Sequence, residues 1–396
     1  MKQVGKFLFV ILCLAAISCR PAVDRPFTTR RDSSGVSIFE SMQPVWNPGE
    51  EWKVDSVPFV DLGASGAGPE YEFFRIRNAS RLPDGRIAVA NYGTNEVRLY
   101  DPNGEFLWAL GRSGEGPGEF QRLTSVRPYH GDTLLAFDYW ARRITLVAPS
   151  GGVGRVTTLL GLNGSLNDLY PFSDGRFLLL TSAITAMANA QGRMRVPAPL
   201  LLLGADGVVV DTIAVVLGFE TYVFDQGDAR PPLPHQVYVA VRDSLTYVAE
   251  GETFEFRVFS ADGTLGQIVR LPEYDLRVPE AVRDSLKAAM LDQELPPQLR
   301  PTMEAMANSI PTRRPAYSGL AVDPSGCVWV QEFTLNVADS QQPRRWLVFD
   351  PSGSWMGAVE LPANFDLFQV GEDYVLGRFR DEMDVETIRL LRLLRS

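Results

Sequence analysis

The chain has 396 residues, 45% of them hydrophobic and 22% charged, a globular composition with ample length for a sizeable core. Its net charge of −10 becomes −12 once Lys2 and Lys6 leave with an N-terminal leader, which argues against nucleic acid and anionic lipid surfaces as partners. Lys53 and Lys287 are then the only lysines, so the cations are almost all arginine, a side chain suited to gripping carboxylates or phosphates with two hydrogen bonds.

Residues 1–18 read as a signal peptide. Lys2 and Lys6 form a positive start, and Phe7–Ile17 is an apolar run too short to cross a bilayer as a helix. Ala16-Ile17-Ser18-Cys19 resembles the lipobox of bacterial lipoproteins, with Ala16 where leucine is usual. That resemblance implies lipidation of Cys19, and Arg20 after it points to the outer membrane, facing the periplasm or the exterior. Residues 19–34 then form a polar tether, so the membrane is met through the lipid anchor alone. Cys13 leaves with the leader. Cys327 lies in the apolar strand Cys327–Val330, reads as a buried small hydrophobe, and has no internal disulfide partner.

From residue 52 onward one unit recurs. Trp52–Phe73 and Phe106–Phe120 superimpose, with Leu62-Gly63 matching Leu110-Gly111 and Gly68-Pro69 matching Gly116-Pro117. A polar turn followed by an apolar strand marks each unit: Asp84-Gly85, Gly131-Asp132, Asp174-Gly175, Asp243-Ser244, Ser325-Gly326 and Glu372-Asp373. Four strands to a unit, repeated six times, predict an all-β, six-bladed propeller over residues 35–396. The first unit has a strand too many, Trp52–Leu62, and the last has one too few after Glu386–Leu394. Pairing these two closes the ring with strands from both termini, and Gly35–Glu40 is expected to add to that seam. The long third and fourth intervals hold insertions at 183–199 and 218–234 and a helical one at 278–311, where Val282, Leu286, Met290 and Leu291 have helical spacing.

The run Gly111–Ile144 resembles the NHL repeat, through Gly-Pro-Gly-Glu-Phe, an apolar strand ending in Asp138, and Arg143-Ile144 beyond it. The chain over residues 35–394 is thus similar to the six-bladed propeller superfamily of NHL-repeat and TolB-like proteins. The resemblance implies a ligand-binding mouth on the face that gathers the inter-unit loops. It implies no single activity, since the superfamily holds scaffolds, binding proteins, lactonases and lyases.

On that face the sequence collects Arg75, Arg77 and Arg112 from inter-unit loops and Trp140, Arg142 and Arg143 from a within-unit loop. Asn91, Asp138, Glu250 and Glu332 follow four second strands. Those four could hold Ca²⁺, which takes carboxylate and amide oxygens, or could pair with the arginines and brace the blades. His235 is expected at the start of an inner strand, and Trp140 is a candidate for stacking on a ligand. With His130 and His235 the only histidines, a zinc site of the amidating-lyase type and a Ser-His-Asp triad are both disfavoured. The loop Gly111–Phe120 lacks the lysine and the following helix of a phosphate-binding loop.

No catalytic constellation stands out. The expected function is a lipid-anchored, non-catalytic binding or assembly module of the cell envelope, without a cofactor, whose partner is an envelope protein or a small polar ligand. The alternatives are a Ca²⁺-dependent, lactonase-like enzyme built on Asn91, Asp138, Glu250 and Glu332, and a small-ligand sensor, which differs from the module by a preformed pocket.

Overall fold

The computed structural model describes residues 27–395 apart from 64–67, 295 and 336–341. The signal peptide and Cys19 lie outside the described residues. Among those described, the strands form six sheets of four to six strands, an all-β, propeller-like arrangement. Sheet 1 runs Ile76–Arg81, Ile87–Asn91, Glu96–Tyr100, Phe106–Leu110. Sheet 2 runs Leu123–Pro128, Leu134–Asp138, Arg143–Val147, Val153–Thr158. Sheet 3 runs Ser165–Pro171, Phe177–Ser182, Gly192–Leu203, Val209–Phe224, with the short Gly227–Ala229 outside them. Sheet 4 is built on Tyr238–Arg242, Leu245–Ala249, Glu255–Ser260 and Leu265–Arg270. Sheet 5 runs Tyr317–Val322, Val328–Glu332, Arg344–Phe349, Trp355–Leu361. Sheet 6 runs Phe365–Val370, Tyr374–Arg380, Glu386–Leu394, and its fourth strand is Lys53–Leu62 from the other end of the chain, antiparallel to Glu386–Leu394.

The sheets stack face to face, which explains why the second strands read as unbroken apolar runs. Every residue of Ile87–Asn91, Leu134–Asp138 and Phe177–Ser182 is buried. The core is divided accordingly into clusters between successive sheets. Ala88, Leu99, Leu123 and Val126 join sheets 1 and 2, and Leu62, Leu390, Ile76 and Val89 join sheet 6 back to sheet 1. The first strands of neighbouring sheets lie side by side around a central space. The turns between first and second strands use left-handed backbone, at Gly85 (φ +92°) and Gly175 (φ +87°), and in sheet 4 Asp243 (φ +55°) takes that conformation instead.

Gly35–Glu40 does not join the seam. Thr28–Ser33 and Val36–Ser41 form a hairpin on sheet 4, where Val36–Ser41 runs parallel to Leu265–Arg270. The backbone amides of Val45 and Trp46 then bond the carbonyls of Trp355 and Met356 on the outer strand of sheet 5 (3.0 and 2.7 Å) before the chain enters sheet 6. The segment thus wraps the outer edges of three consecutive sheets. Each of those edges would otherwise present unpaired amides and carbonyls, and Val36–Ser41 meets that need at sheet 4 and not at the seam.

The excursions of the third unit are one long antiparallel hairpin, Gly192–Leu203 with Val209–Phe224, rising beyond the sheet. The helical insertion holds α1 (Glu280–Leu291) and α2 (Arg300–Asn308), which pack on each other. Arg193 ties α2 to the hairpin through the Ser309 carbonyl (3.1 Å).

Candidate functional site at the channel mouth

The first strands run from the face of the inter-unit loops to the face of the Asp-Gly turns, so they line the central space from end to end. A cavity of about 550 Å³ at the turn end touches first strands of all six sheets, through Ser80, Arg127, Tyr170, Ala240, Leu320 and Gln369. A second cavity, about 690 Å³, lies toward the loop face between sheets 3, 4, 5 and 6. Its wall includes Asn167, Asp168, Phe219, Gln236, Arg344 and Asp366. Phe219 comes from the long hairpin, which therefore forms part of the rim.

Two ion-paired groups stand in this wall. Arg127 holds Asp168 with two bonds, Nη1–Oδ1 3.1 Å and Nη2–Oδ2 2.7 Å, and its guanidinium lies 4.3 Å from the Tyr170 ring centre. Asp366 accepts from Arg344 and from Arg378 (Nη2–Oδ2 2.5 Å), with Arg380 Nη1 3.4 Å from Oδ2. Burial alone would raise the Asp366 pKa, but the hydrogen bonds and charges of Arg378 and Arg344 outweigh it and hold the carboxyl below its usual range. Arg378 and Arg380 also bind Glu386, so three guanidiniums face two carboxylates and the cluster carries one positive charge in excess.

The residues singled out from the sequence lie elsewhere. Asn91 is fully buried, accepts from the Phe74 amide (2.9 Å) and donates to Thr94 Oγ1 (2.9 Å). Asp138 is fully buried without a cation: Oδ2 accepts from the amides of Gln121 (2.6 Å) and Arg122 (3.2 Å), and Oδ1 from those of Trp140 (3.0 Å) and Ala141 (2.9 Å). Glu250 binds Arg257 and the Leu217 amide (2.5 Å). Glu332 binds Tyr274 and Arg345 (3.1 Å), with Arg314 at 3.8 Å. All four brace loops or pair with cations at the ends of their own strands. Among the described residues no three acidic, histidine or cysteine side chains come together as a metal centre. Among the described residues Asp138, Glu250 and Glu332 are not brought together, and each of the four is bonded to amides, hydroxyls or guanidiniums close to its own strand end.

The arginines divide in the same way. Arg143 is buried and bonds the carbonyls of Glu115 (2.8 Å) and Glu119. Arg142 bonds the Leu162 carbonyl (2.7 Å), and Arg112 pairs with Glu119 (2.6 Å). Arg75 and Arg77 lie over the rings of Phe74 (5.0 Å) and Tyr92 (4.9 Å). Trp140 is 60% exposed and carries the guanidinium of Arg122 at 4.8 Å. His235 precedes its strand instead of opening it. Its Nδ1 lies 2.8 Å from Glu220, which Arg193 also binds (2.5 Å). Burial would raise the Glu220 pKa, but the bonds from His235 and Arg193 overcome it and bring it down to about 2.

The cavity residues Gly319, Gln331, Arg344, Trp346 and Asp366 were not anticipated. Each reads as an ordinary strand residue in its own stretch of sequence. A trace was available: the fifth unit carries a glycine in its first strand where the aligned units carry a side chain.

No protein-family model matches the chain, and no curated protein matches it. Solved structures that are similar include a member of the DUF4221 family from Bacteroides vulgatus, at 8% identity over 87% of this chain and 99% of that one, TM-score 0.49. A gluconolactonase from Xanthomonas campestris is similar at 13% identity over 88% of this chain and 99% of that one, TM-score 0.44. Virginiamycin B lyase from Staphylococcus aureus is similar at 8% identity over 87% and 99%, TM-score 0.44. At these identities and scores the likenesses carry no functional inference.

Proposed function

We propose that this protein is an exported, lipid-anchored, six-bladed β-propeller of the NHL-repeat and TolB-like kind, closed by pairing of Lys53–Leu62 with Glu386–Leu394, whose role is binding without chemistry. The ligand is a small polar molecule taken at the loop-face end of the channel. The observation that carries this reading is the preformed cavity of about 690 Å³, lined by polar side chains of four sheets. A preformed pocket is the feature that separates a small-ligand binder from an assembly module held only by surface contacts. The anchor at Cys19 would place the pocket at the outer membrane.

The test is thermal unfolding of the full chain with a panel of small polar molecules, with Ca²⁺ and with EDTA. A ligand of the folded channel must raise the midpoint, since it binds the folded state alone. A midpoint raised by an organic solute and indifferent to Ca²⁺ and EDTA supports the reading. A Ca²⁺-dependent midpoint, abolished in Glu250→Gln or Asp138→Asn, would replace it with the metal-dependent enzyme.

A further inference from the structure

Away from the central space, a cavity of about 640 Å³ lies where the wrapping segment crosses the outer strands of sheets 5 and 6. It shares no lining residue with the two channel cavities. Three half-buried tryptophans line it, Trp46 and Trp52 from the wrapping segment and Trp355 from sheet 5. The first two are held in place from behind. The Trp46 amide bonds the Met356 carbonyl (2.7 Å), and its indole lies against Gly357, where an added Cβ would collide with the ring. Trp52 packs on Trp46 with ring centres 5.0 Å apart and on Trp329 at 5.9 Å, and the guanidinium of Arg395 lies 4.3 Å from its ring. Arg395 is tied in turn to Asp323 (2.8 Å) and to the Gly371 carbonyl (2.9 Å). The backbone bonds of Val45 and Trp46 would cover the edge of sheet 5 with other side chains too, so that task does not call for indole surface left open in a cavity.

The polar groups of the cavity are only partly spent. The Trp355 Nε1–H donates to the Gly357 carbonyl (3.0 Å). Those of Trp46 and Trp52 make no hydrogen bond among the described residues, and neither is sealed from solvent. Glu51 accepts from the Gly49 amide through one oxygen (2.7 Å), which leaves the other open. Lys53 and Glu360 line the cavity as exposed side chains, with no ion pair among the described residues. Unspent donors on Trp46, Trp52 and Lys53 thus stand beside unspent acceptors on Glu51 and Glu360. A ligand that meets both kinds must itself donate and accept, as a hydroxyl does. Lys53 and Arg345 against Glu51 and Glu360 give the lining no net charge, so it favours neither an anion nor a cation. The rings require an apolar face on the ligand as well. A saccharide combines these properties, because its ring has a face of C–H groups and an edge of hydroxyls. A proline-rich segment, which also packs on tryptophans, brings carbonyl acceptors but few N–H donors, and would leave Glu51 and Glu360 unmatched.

We infer that this outer cavity is a binding site for a neutral saccharide. The indoles of Trp46 and Trp52 take the apolar face of the sugar, and Glu51, Lys53, Glu360 and the two indole N–H groups take its hydroxyls. The site is separate from the channel, and the inference does not rest on the channel-binding reading. It gives the wrapping segment a role beyond covering sheet edges, since that segment supplies both rings.

The test is isothermal titration calorimetry of the full chain with maltotriose, cellotriose and the trimer of N-acetylglucosamine. A polyproline peptide and sodium citrate are titrated beside them. The expected result is saturable binding of at least one trisaccharide and none of citrate. Trp46→Ala removes half of the ring platform and should weaken that binding about tenfold. Glu360→Ala and Lys53→Ala remove exposed polar groups, and each should weaken it by about threefold. Should Trp46→Ala fail to fold, the two exposed variants decide. Saccharide binding that is unchanged in these variants overturns the outer site and places the sugar elsewhere, the channel included. Binding of the polyproline peptide, lost in Trp46→Ala, with no saccharide bound, overturns the saccharide and makes the cavity a peptide site. If no trisaccharide binds, the inference falls and the channel reading is untouched.

Discussion

Arg143 does for the loop before sheet 2 what Arg98 does for the loop before sheet 1. Arg98 Nη1 lies 3.2, 2.9 and 2.8 Å from the carbonyls of Pro69, Glu70 and Glu72, and Arg143 bonds those of Glu115 and Glu119. The two glycine-rich loops are thus held by buried guanidiniums from the third strands, and their shared sequence is the sequence of a clamped linker. Arg143→Ala should lower stability by about 2–3 kcal/mol, because buried carbonyls lose charged donors. Arg143→Lys should recover little, since a single ammonium cannot span both carbonyls. Denaturant unfolding of the two variants checks this.

Gly111 begins the second of these loops at φ +124°. A Cβ there would collide with the Asn95 carbonyl and stand 2.9 Å from the Phe120 ring. Gly111→Ala therefore meets both a disfavoured backbone and rigid neighbours, and should cost at least about 2 kcal/mol. Gly131, at φ +63° with nothing within 4 Å of the added Cβ, should tolerate the same change with a smaller loss, and the pair of unfolding curves separates strain from crowding.

The Glu220 pKa falls from 4.5 to about 2 on folding. A depressed pKa contributes stability that is fully present above the unfolded value and lost as the pH falls through the folded one. Stability should drop between about pH 4.5 and 2, by roughly 1–2 kcal/mol from this group after allowance for solvent screening. Glu220→Gln should be less stable than wild type at neutral pH and show a shallower acid limb. A variant whose acid limb matches wild type would show that Glu220 does not carry the effect.

Cys327 is buried and free, and burial, with Asp323 nearby, pushes its thiol up to about 11. The thiolate is the reactive form. Native protein at pH 8 should resist an aromatic disulfide reagent, while denatured protein should react with one thiol for Cys327 within minutes. Fast labelling of the native state would contradict the packing described for sheet 5.

The hairpin Thr28–Ser41 covers the edge strand Leu265–Arg270. Removal of residues 27–41 should leave the folded sheets largely intact but expose that edge, and exposed edges recruit other chains. Light scattering should show concentration-dependent association absent from the full chain.

The repeat was legible because its marks are local. Asp84-Gly85 and Asp174-Gly175 are adjacent residues with one backbone requirement, and a turn of that kind announces itself in two letters. The pairing of Lys53–Leu62 with Glu386–Leu394 could be read from a surplus strand and a missing one. The position of Val36–Ser41 could not, since a short apolar strand fits any uncovered edge equally well. The partners of the candidate residues were hidden for a related reason. Asp138 and Glu332 have the chemistry of ligands, and nothing in their own segments shows that four backbone amides or three side chains already claim them. Gly319, Gln331 and Trp346 are 12 and 15 residues apart along the chain and become a unit only when register brings them into one row.

The wrapping segment sets the order in which the molecule can be completed. Residues 28–62 leave the ribosome ahead of every sheet, yet their partners are Leu265–Arg270, Trp355–Met356 and Glu386–Leu394. The last of these is far downstream: Asp61 and its partner Arg389 are 328 residues apart. The edges that Val36–Ser41 and Lys53–Leu62 cover therefore do not exist until those distant strands have been made. Contacts of such long sequence separation form slowly. Closure of sheet 6 is thus a late event that joins the two most distant parts of the described fold.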